Sequence, residues 1–210
     1  MIKSVDKFKR VLEKDYGFSS DLVFRKLNIK GTNILYVYLE SVSSDDKVSD
    51  FLMKNLSNLN KPIFKDIFNT LKNSIYSSHL KVENKLSDIY TKLASGYTII
   101  FVDGYCKFLS IETRMTLDRG VSESTSENVI RGPKDSFTEN AAINLGLIRK
   151  RIKTNKLWFN DIIVGRKSKT KITIAYIEDI ADLKRVNRVI KKIKKIDIDG
   201  KLDSGYIRDF

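Results

Sequence analysis

The chain has 210 residues, with 39 Lys and Arg against 26 Asp and Glu, a net charge of +13 and 41% hydrophobic residues. That is apolar material for one large core or two small ones, and too much for a disordered chain. A single cysteine, Cys106, excludes an intrachain disulfide and a cysteine-cluster metal site, and a single histidine, His79, makes a poor metal site.

From Met1 to Tyr16, Val5, Phe8, Leu12 and Tyr16 recur at helical spacing and stop at Gly17, which predicts an N-terminal helix packed on a sheet. Leu22–Ile29 and Ile34–Leu39 are rich in strand formers and are joined by the turn signal Lys30-Gly31-Thr32-Asn33. A Ser-Asp cluster at 43–46 caps a helix that carries Val48, Leu52, Leu56 and Leu59. A second helix starts near Pro62 with Ile63, Ile67, Leu71 and Ile75, and a third carries Leu86, Ile89, Tyr90 and Leu93. Three helices in a row are therefore expected, with His79 at a junction between two of them. Tyr97–Val102, the turn Asp103-Gly104 and Lys107–Thr113 predict a hairpin.

The polar stretch Thr116–Ser126, TLDRGVSESTS, is the best internal boundary. Beyond it the pattern predicts a strand at Asn128–Arg131, a helix, strands at Leu157–Val164 and Ile172–Ile177, and a closing helix over Asp182–Lys195 with Leu183, Val186, Val189 or Ile190, and Ile193 turned inward. The fold class is thus α/β (α+β): two small mixed-sheet subdomains, residues 1–115 and 127–210, joined by a connector at 116–126. No apolar secretory segment opens the chain and no run approaches a membrane span, so the chain as given is expected to be soluble.

The segment Glu127–Lys153, ENVIRGPKDSFTENAAINLGLIRKRIK, draws the halves together. Pro133 keeps a helix from running through, and Ser136 followed by Glu139 has capping-box spacing, placing the helix start near Phe137. Phe137, Ala141, Leu145, Ile148 and Ile152 form one apolar arc and Ile143 and Leu147 a second. Asn140, Asn144 and Arg151 fall between them. A polar strip between apolar surfaces is expected to meet polar groups of another subdomain or a neighbouring subunit, because unpaired buried groups cost roughly 1–3 kcal/mol each. A core helix with a half-exposed polar edge is the plainer alternative.

Arg131-Gly132-Pro133-Lys134, Phe137-Thr138-Glu139, Asn144 and Leu147-Ile148-Arg149-Lys150-Arg151 resemble the signature of the A subunits of bacterial spore germinant receptors, the GerA-type family, in their N-terminal soluble domain. The likeness runs in order from Asp21 and Arg25 through Ser95-Gly96, Arg119, Glu127, Gly165, Ser168-Lys169-Thr170 and Tyr176-Ile177 to Ser204-Gly205-Tyr206-Ile207. Ser124 and Ser136 depart from it, standing where the family usually has Pro and Gly or Ala. The resemblance implies a nutrient-sensing, non-enzymatic module without cofactor, on the cytoplasmic side of the spore inner membrane. Its implied partners are receptor B and C subunits, its own C-terminal membrane-spanning part, a second copy of itself and a small nutrient germinant. Phe210 is then expected to mark a truncation. Candidate ligand or interface residues are Arg131, Lys134, Glu139, Asn140, Asn144, Arg149 and Arg151, the last two pairing with acids of a neighbouring subunit in one version.

Two other classes compete. The +13 charge, Arg149-Lys150-Arg151 and the Lys-rich closing helix would suit a basic module binding nucleic acid or an anionic membrane, but no nucleic-acid-reading motif is present and nucleic acid is not expected. An enzyme using Asp103, Glu112 or Glu127 ranks last, since no Gly-rich phosphate loop, paired catalytic carboxylates or Ser-His-Asp order singles them out.

Overall fold

The computed structural model describes residues 2–58, 66–75, 79–116 and 136–196. The N-terminal helix, α1 (Val5–Asp15), buries Val5, Phe8 and Leu12, with Tyr16 just beyond its end also buried. β1 (Leu22–Ile29) and β2 (Thr32–Leu39) form an antiparallel hairpin in full register from Leu22↔Leu39 to Ile29↔Thr32. Lys30 and Gly31 both have positive φ (47° and 84°), the twist a two-residue hairpin turn requires. Then come α2 (Asp45–Asn58), α3 (Ile67–Ser74), β3 (Lys81–Glu83), α4 (Leu86–Ala94), β4 (Tyr97–Val102) and β5 (Phe108–Glu112).

These strands make one five-stranded sheet, ordered β1-β2-β4-β5-β3, with every pairing antiparallel. β2 and β4 lie inside it and are buried on both faces, which is why their sequences are continuous apolar runs rather than alternations. Leu35, Val37, Ile99 and Phe101 point to a core shared with α1 and α4, through Phe8, Leu12, Ile89 and Leu93. Ile34, Tyr36, Ile100 and Val102 point to the opposite core, closed by Ile67, Phe68 and Leu71 of α3. The Asp66 side chain caps α3 by accepting from the Phe68 and Asn69 amides.

The succession of three helices is broken by β3, which pairs with β5 at the sheet edge from Lys81↔Ser110 to Glu83↔Phe108. It is too short to carry a recognisable alternation, so nothing local announces it. His79 stands at its entrance and not between two helices, with Nδ1 3.8 Å from Glu112 Oε2.

The second unit contains α5 (Ala141–Arg151), the hairpin of β6 (Leu157–Val164) and β7 (Thr170–Ile177), and α6 (Leu183–Lys194). β6 and β7 pair antiparallel along their whole length, β7 starting two residues earlier than its apolar run. Ile190 and Ile193 of α6 pack with Ile162, Val164, Ile172 and Ile174. Leu183, expected inward, is instead 40% exposed, and of the alternatives Val189 and Ile190 it is Ile190 that packs inward, Val189 being 41% exposed. The two strands described for this sheet offer one helix a narrow apolar seat, and α6 fills it with the face centred on Ile193. The class is the expected α+β one; the strand foreseen at 128–131, the helical start at Ile63 and nearly all of the connector lie outside the described residues.

Candidate functional site

α5 begins later than its sequence suggests. Asn140, not Ser136, is the N-cap: its Oδ1 accepts from the amides of Ala142 (2.9 Å) and Ile143 (3.4 Å). The Asn144 side chain clamps the preceding loop, accepting from the Thr138 amide (2.7 Å) and donating to the Thr138 carbonyl (2.7 Å). Thr138 Oγ1 in turn accepts from the Asn140 amide at 3.1 Å. These local bonds hold 138–140 outside the helix, so the foreseen capping box does not form and Phe137 stays 66% exposed.

The buried face of α5 is Gly146, Leu147 and Arg149, not the arc through Leu145 and Ile148. Arg149 is completely buried. Its Nε donates to Asp21 Oδ2 (2.8 Å) and its Nη2 to Asp21 Oδ1 (3.0 Å), a bidentate pair between residues 128 positions apart. Nη2 also donates to the Leu157 carbonyl (3.1 Å), and Nη1 to that of Thr154 (3.4 Å). Asp21 accepts further from the hydroxyls of Ser19 (2.7 Å) and Ser41 (2.6 Å), while Ser19 Oγ accepts from the Phe159 amide at 2.9 Å. The guanidinium lies over the Phe159 ring (4.6 Å) and near that of Tyr16 (5.9 Å). Burial pushes the Tyr16 hydroxyl well above its ordinary pKa, the positive charge of Arg149 opposing that rise only in part.

A buried ion pair is retained at a profit only when every lone pair and proton is used, and here nearly all are. The network therefore fixes α5 and β6 onto the start of β1. Arg149 finds its acid within the chain, which corrects the expectation of a partner on a neighbouring subunit. Of the other sequence candidates, Asn140 and Asn144 shape the loop before α5, Glu139 and Arg151 lie at the surface, and Arg131 and Lys134 fall outside the described residues.

A second contact joins α1 to β6. Gly17 has φ +56°, and a Cβ placed there would lie 2.1 Å from the Trp158 ring. The indole Nε1 donates to the Asn155 carbonyl (3.1 Å), and Asn155 Nδ2 reaches the Asp15 carbonyl (3.4 Å). The ring meets Tyr176, its cross-strand partner, edge to face.

Beside the buried pair, the last turn of α5 closes a cavity of about 210 Å³ against the first unit. Among the described residues, Val42, Ala94 and Met115 give it apolar walls, Ser95 a hydroxyl, and Arg114, Lys150 and Lys153 its charged groups, with Glu112 Oε1 3.9 Å from Arg114 Nε. The wall is stitched by backbone: the Ser44 amide donates to the Thr113 carbonyl (2.8 Å) and that of Met115 to the Val42 carbonyl (2.9 Å). Gly96, with φ +81°, lets this strand approach, since a Cβ there would meet the Val42 carbonyl oxygen at 2.7 Å. Arg114 Nε donates to the Ser95 carbonyl at 3.0 Å, fixing one cation at the mouth. Three cations beside apolar walls suit a small carboxylate with a short apolar side chain, the carboxylate to Lys and Arg and the side chain to Val42 and Met115. Sequence reasoning missed Arg114, Lys150 and Lys153 as a group, although Lys150 stands inside the signature. No cluster of three or more metal-binding side chains occurs among the described residues, and no helix there is long and apolar enough to cross a membrane.

Comparison with known proteins accords with this architecture. Residues 8–210 match the family model for the Bacillus/Clostridium GerA spore germination protein. Relatives include the uncharacterized membrane protein YfkQ of Bacillus subtilis (strain 168), 33% identical over 193 residues, covering 91% of this chain and 37% of the relative. Spore germination protein XA of Bacillus anthracis is 33% identical over 181 residues, covering 85% of this chain and 37% of the relative. The chain thus spans little more than a third of the curated relatives it matches. The crystal structure of the N-terminal domain of the A subunit of the Bacillus megaterium spore germinant receptor GerK3 superposes with a TM-score of 0.72 at 27% identity, over 93% of this chain and 72% of that one. The described fold is therefore that of a germinant-receptor A-subunit N-terminal domain, and the chain belongs to the GerA spore germination protein family.

Proposed function

We propose that this chain is the nutrient-sensing N-terminal part of a spore germinant receptor A subunit, acting without catalysis and recognising a small α-amino acid in the cavity beside α5. The observation that carries this reading is a cavity of about 210 Å³ whose described lining has apolar walls and three cations, next to the signature helix of a germination protein. Its size suits an amino acid better than a larger ligand. The first unit supplies Val42, Ala94, Ser95, Arg114 and Met115 and the second Lys150 and Lys153, so a ligand held by both favours their docked arrangement by its differential affinity for that state. The docked arrangement is held by Asp21–Arg149, and its stabilisation is the signal passed to the membrane-spanning remainder and to the B and C subunits. Glu139, Asn140 and Arg151 offer exposed surface on and before α5 for those subunits or for a second copy, and Arg131 and Lys134 of the signature are assigned to the same role. The chain then sits at the spore inner membrane, on its cytoplasmic side.

Titration followed by amide NMR tests the binding step. One or more free amino acids are expected to give saturable shifts at Val42, Ser95, Met115, Lys150 and Lys153, their carboxamide analogues none. Lys153→Gln is expected to weaken binding about tenfold, the loss of one charge-assisted contact of about 1.4 kcal/mol. Shifts from sugars or nucleosides but no amino acid, or an unaffected Lys153→Gln, would overturn the assignment of the cavity.

A further inference from the structure

The strongest feature that the cavity and the buried pair leave unused is the outer face of α6. Six of its 12 residues are Lys or Arg, the C-cap Lys195 adds a seventh, and none is Asp or Glu. All seven, Lys184, Arg185, Arg188, Lys191, Lys192, Lys194 and Lys195, are exposed. At 100° per residue, all but Lys194 fall within a sector of roughly 120° opposite Ile190 and Ile193. Because Ile193 packs with Ile162 and Val164, the last turn of α6 sits at the end of the hairpin whose connection carries exposed Arg166, Lys167 and Lys169. Among the described residues, Asp182 caps the helix, accepting from the Lys184 and Arg185 amides, and Glu178 holds Lys156 at 2.7 Å.

Gathering cations on one helix opposes folding by mutual repulsion, and helix-dipole relief accounts only for those in the last turn. We infer that the cationic face of α6, extended by the β6–β7 connection, docks on an anionic phospholipid surface. Charge complementarity names the partner class, and the apolar flank decides between lipid and nucleic acid. Val189 is 41% exposed beside the cations, and Leu183 and Ile180, 40% and 78% exposed, lie at the helix entrance. Such side chains suit the boundary between headgroup and acyl chain and have no use on a phosphate backbone. The inference rests on the reading of the chain as the membrane-adjacent part of a membrane protein, and orients it with β7–α6 toward the bilayer.

The experiment is co-sedimentation of the 210-residue chain with vesicles of phosphatidylglycerol and phosphatidylcholine in equal parts, against pure phosphatidylcholine vesicles and a DNA duplex. Binding is expected on the anionic vesicles only, weakening as salt rises. The triple variant Arg188→Gln, Lys191→Gln, Lys195→Gln is expected to bind about 100-fold more weakly, roughly fivefold per cation, with a circular-dichroism melt that is not lowered. Equal binding to neutral vesicles, an unaffected triple variant, or tight binding to DNA with inert vesicles would overturn the proposal. Vesicle binding is scored without nutrient and nutrient binding without lipid, so failure of one reading is visible apart from failure of the other.

Discussion

Arg149→Met is expected to destabilise the chain by about 3–5 kcal/mol, because it leaves the Asp21 carboxylate buried without its cation. Two hydroxyls still donate to that carboxylate, but a serine O–H does not compensate for a lost bidentate guanidinium. The double variant Asp21→Asn, Arg149→Met is expected to recover part of the loss, since no buried charge remains unpaired. Urea denaturation of the four proteins in this cycle measures the coupling directly. Additive single effects would show that Arg149 stabilises by packing against Phe159 and Tyr16 and not through Asp21. Arg149→Lys should rescue poorly, as an ammonium cannot serve both carboxylate oxygens and two carbonyls in the same plane.

Gly17→Ala is the second large effect, expected to cost about 2–5 kcal/mol. Roughly 1–2 kcal/mol comes from an L side chain in the left-handed region and about 1–3 kcal/mol from displacing the Trp158 ring. Gly31→Ala separates the two, because Gly31 also has positive φ (84°) but nothing lies within 4 Å of its Cβ position. It should lose only the backbone part, about 1–2 kcal/mol by thermal or urea unfolding. Equal losses at the two positions would mean that Trp158 moves aside freely, and the α1–β6 contact would then be soft.

These two effects sit where sequence reasoning reached least far. Elements with strong periodicity or apolar runs were legible: Val5, Phe8 and Leu12 mark α1, and Leu157–Val164 marks β6 residue for residue. The order helix, hairpin, helices, hairpin, then a second unit with its own hairpin followed from turn residues and capping signals. β3 was not legible, because three residues of strand are held by β5 and not by their own pattern. The start of α5 was misplaced because two capping signals compete, and Asn140 wins once Asn144 has pinned Thr138.

The site was half legible. The signature pointed to α5, and its resemblance to germinant-receptor subunits pointed to the family, but the roles of its residues were exchanged. Asn144 and Asn140, expected to face another layer, are absorbed by their own loop, whereas Arg149, expected at a surface, is the residue that crosses between layers. No spacing rule pairs Asp21 with Arg149, since only the sheet's topology brings β1 beside the end of α5. Lys150 and Lys153 lie far from Arg114 in the chain, and only the fold brings them to one cavity.

The measurement closest to the central claim is germination of spores carrying the full-length receptor with Arg114→Gln and Lys153→Gln. The nutrient concentration for half-maximal germination is expected to rise at least about tenfold for amino acids, with receptor abundance and germination by receptor-independent triggers unchanged. An unaltered amino-acid response at normal receptor abundance would contradict the account and place nutrient recognition outside this cavity.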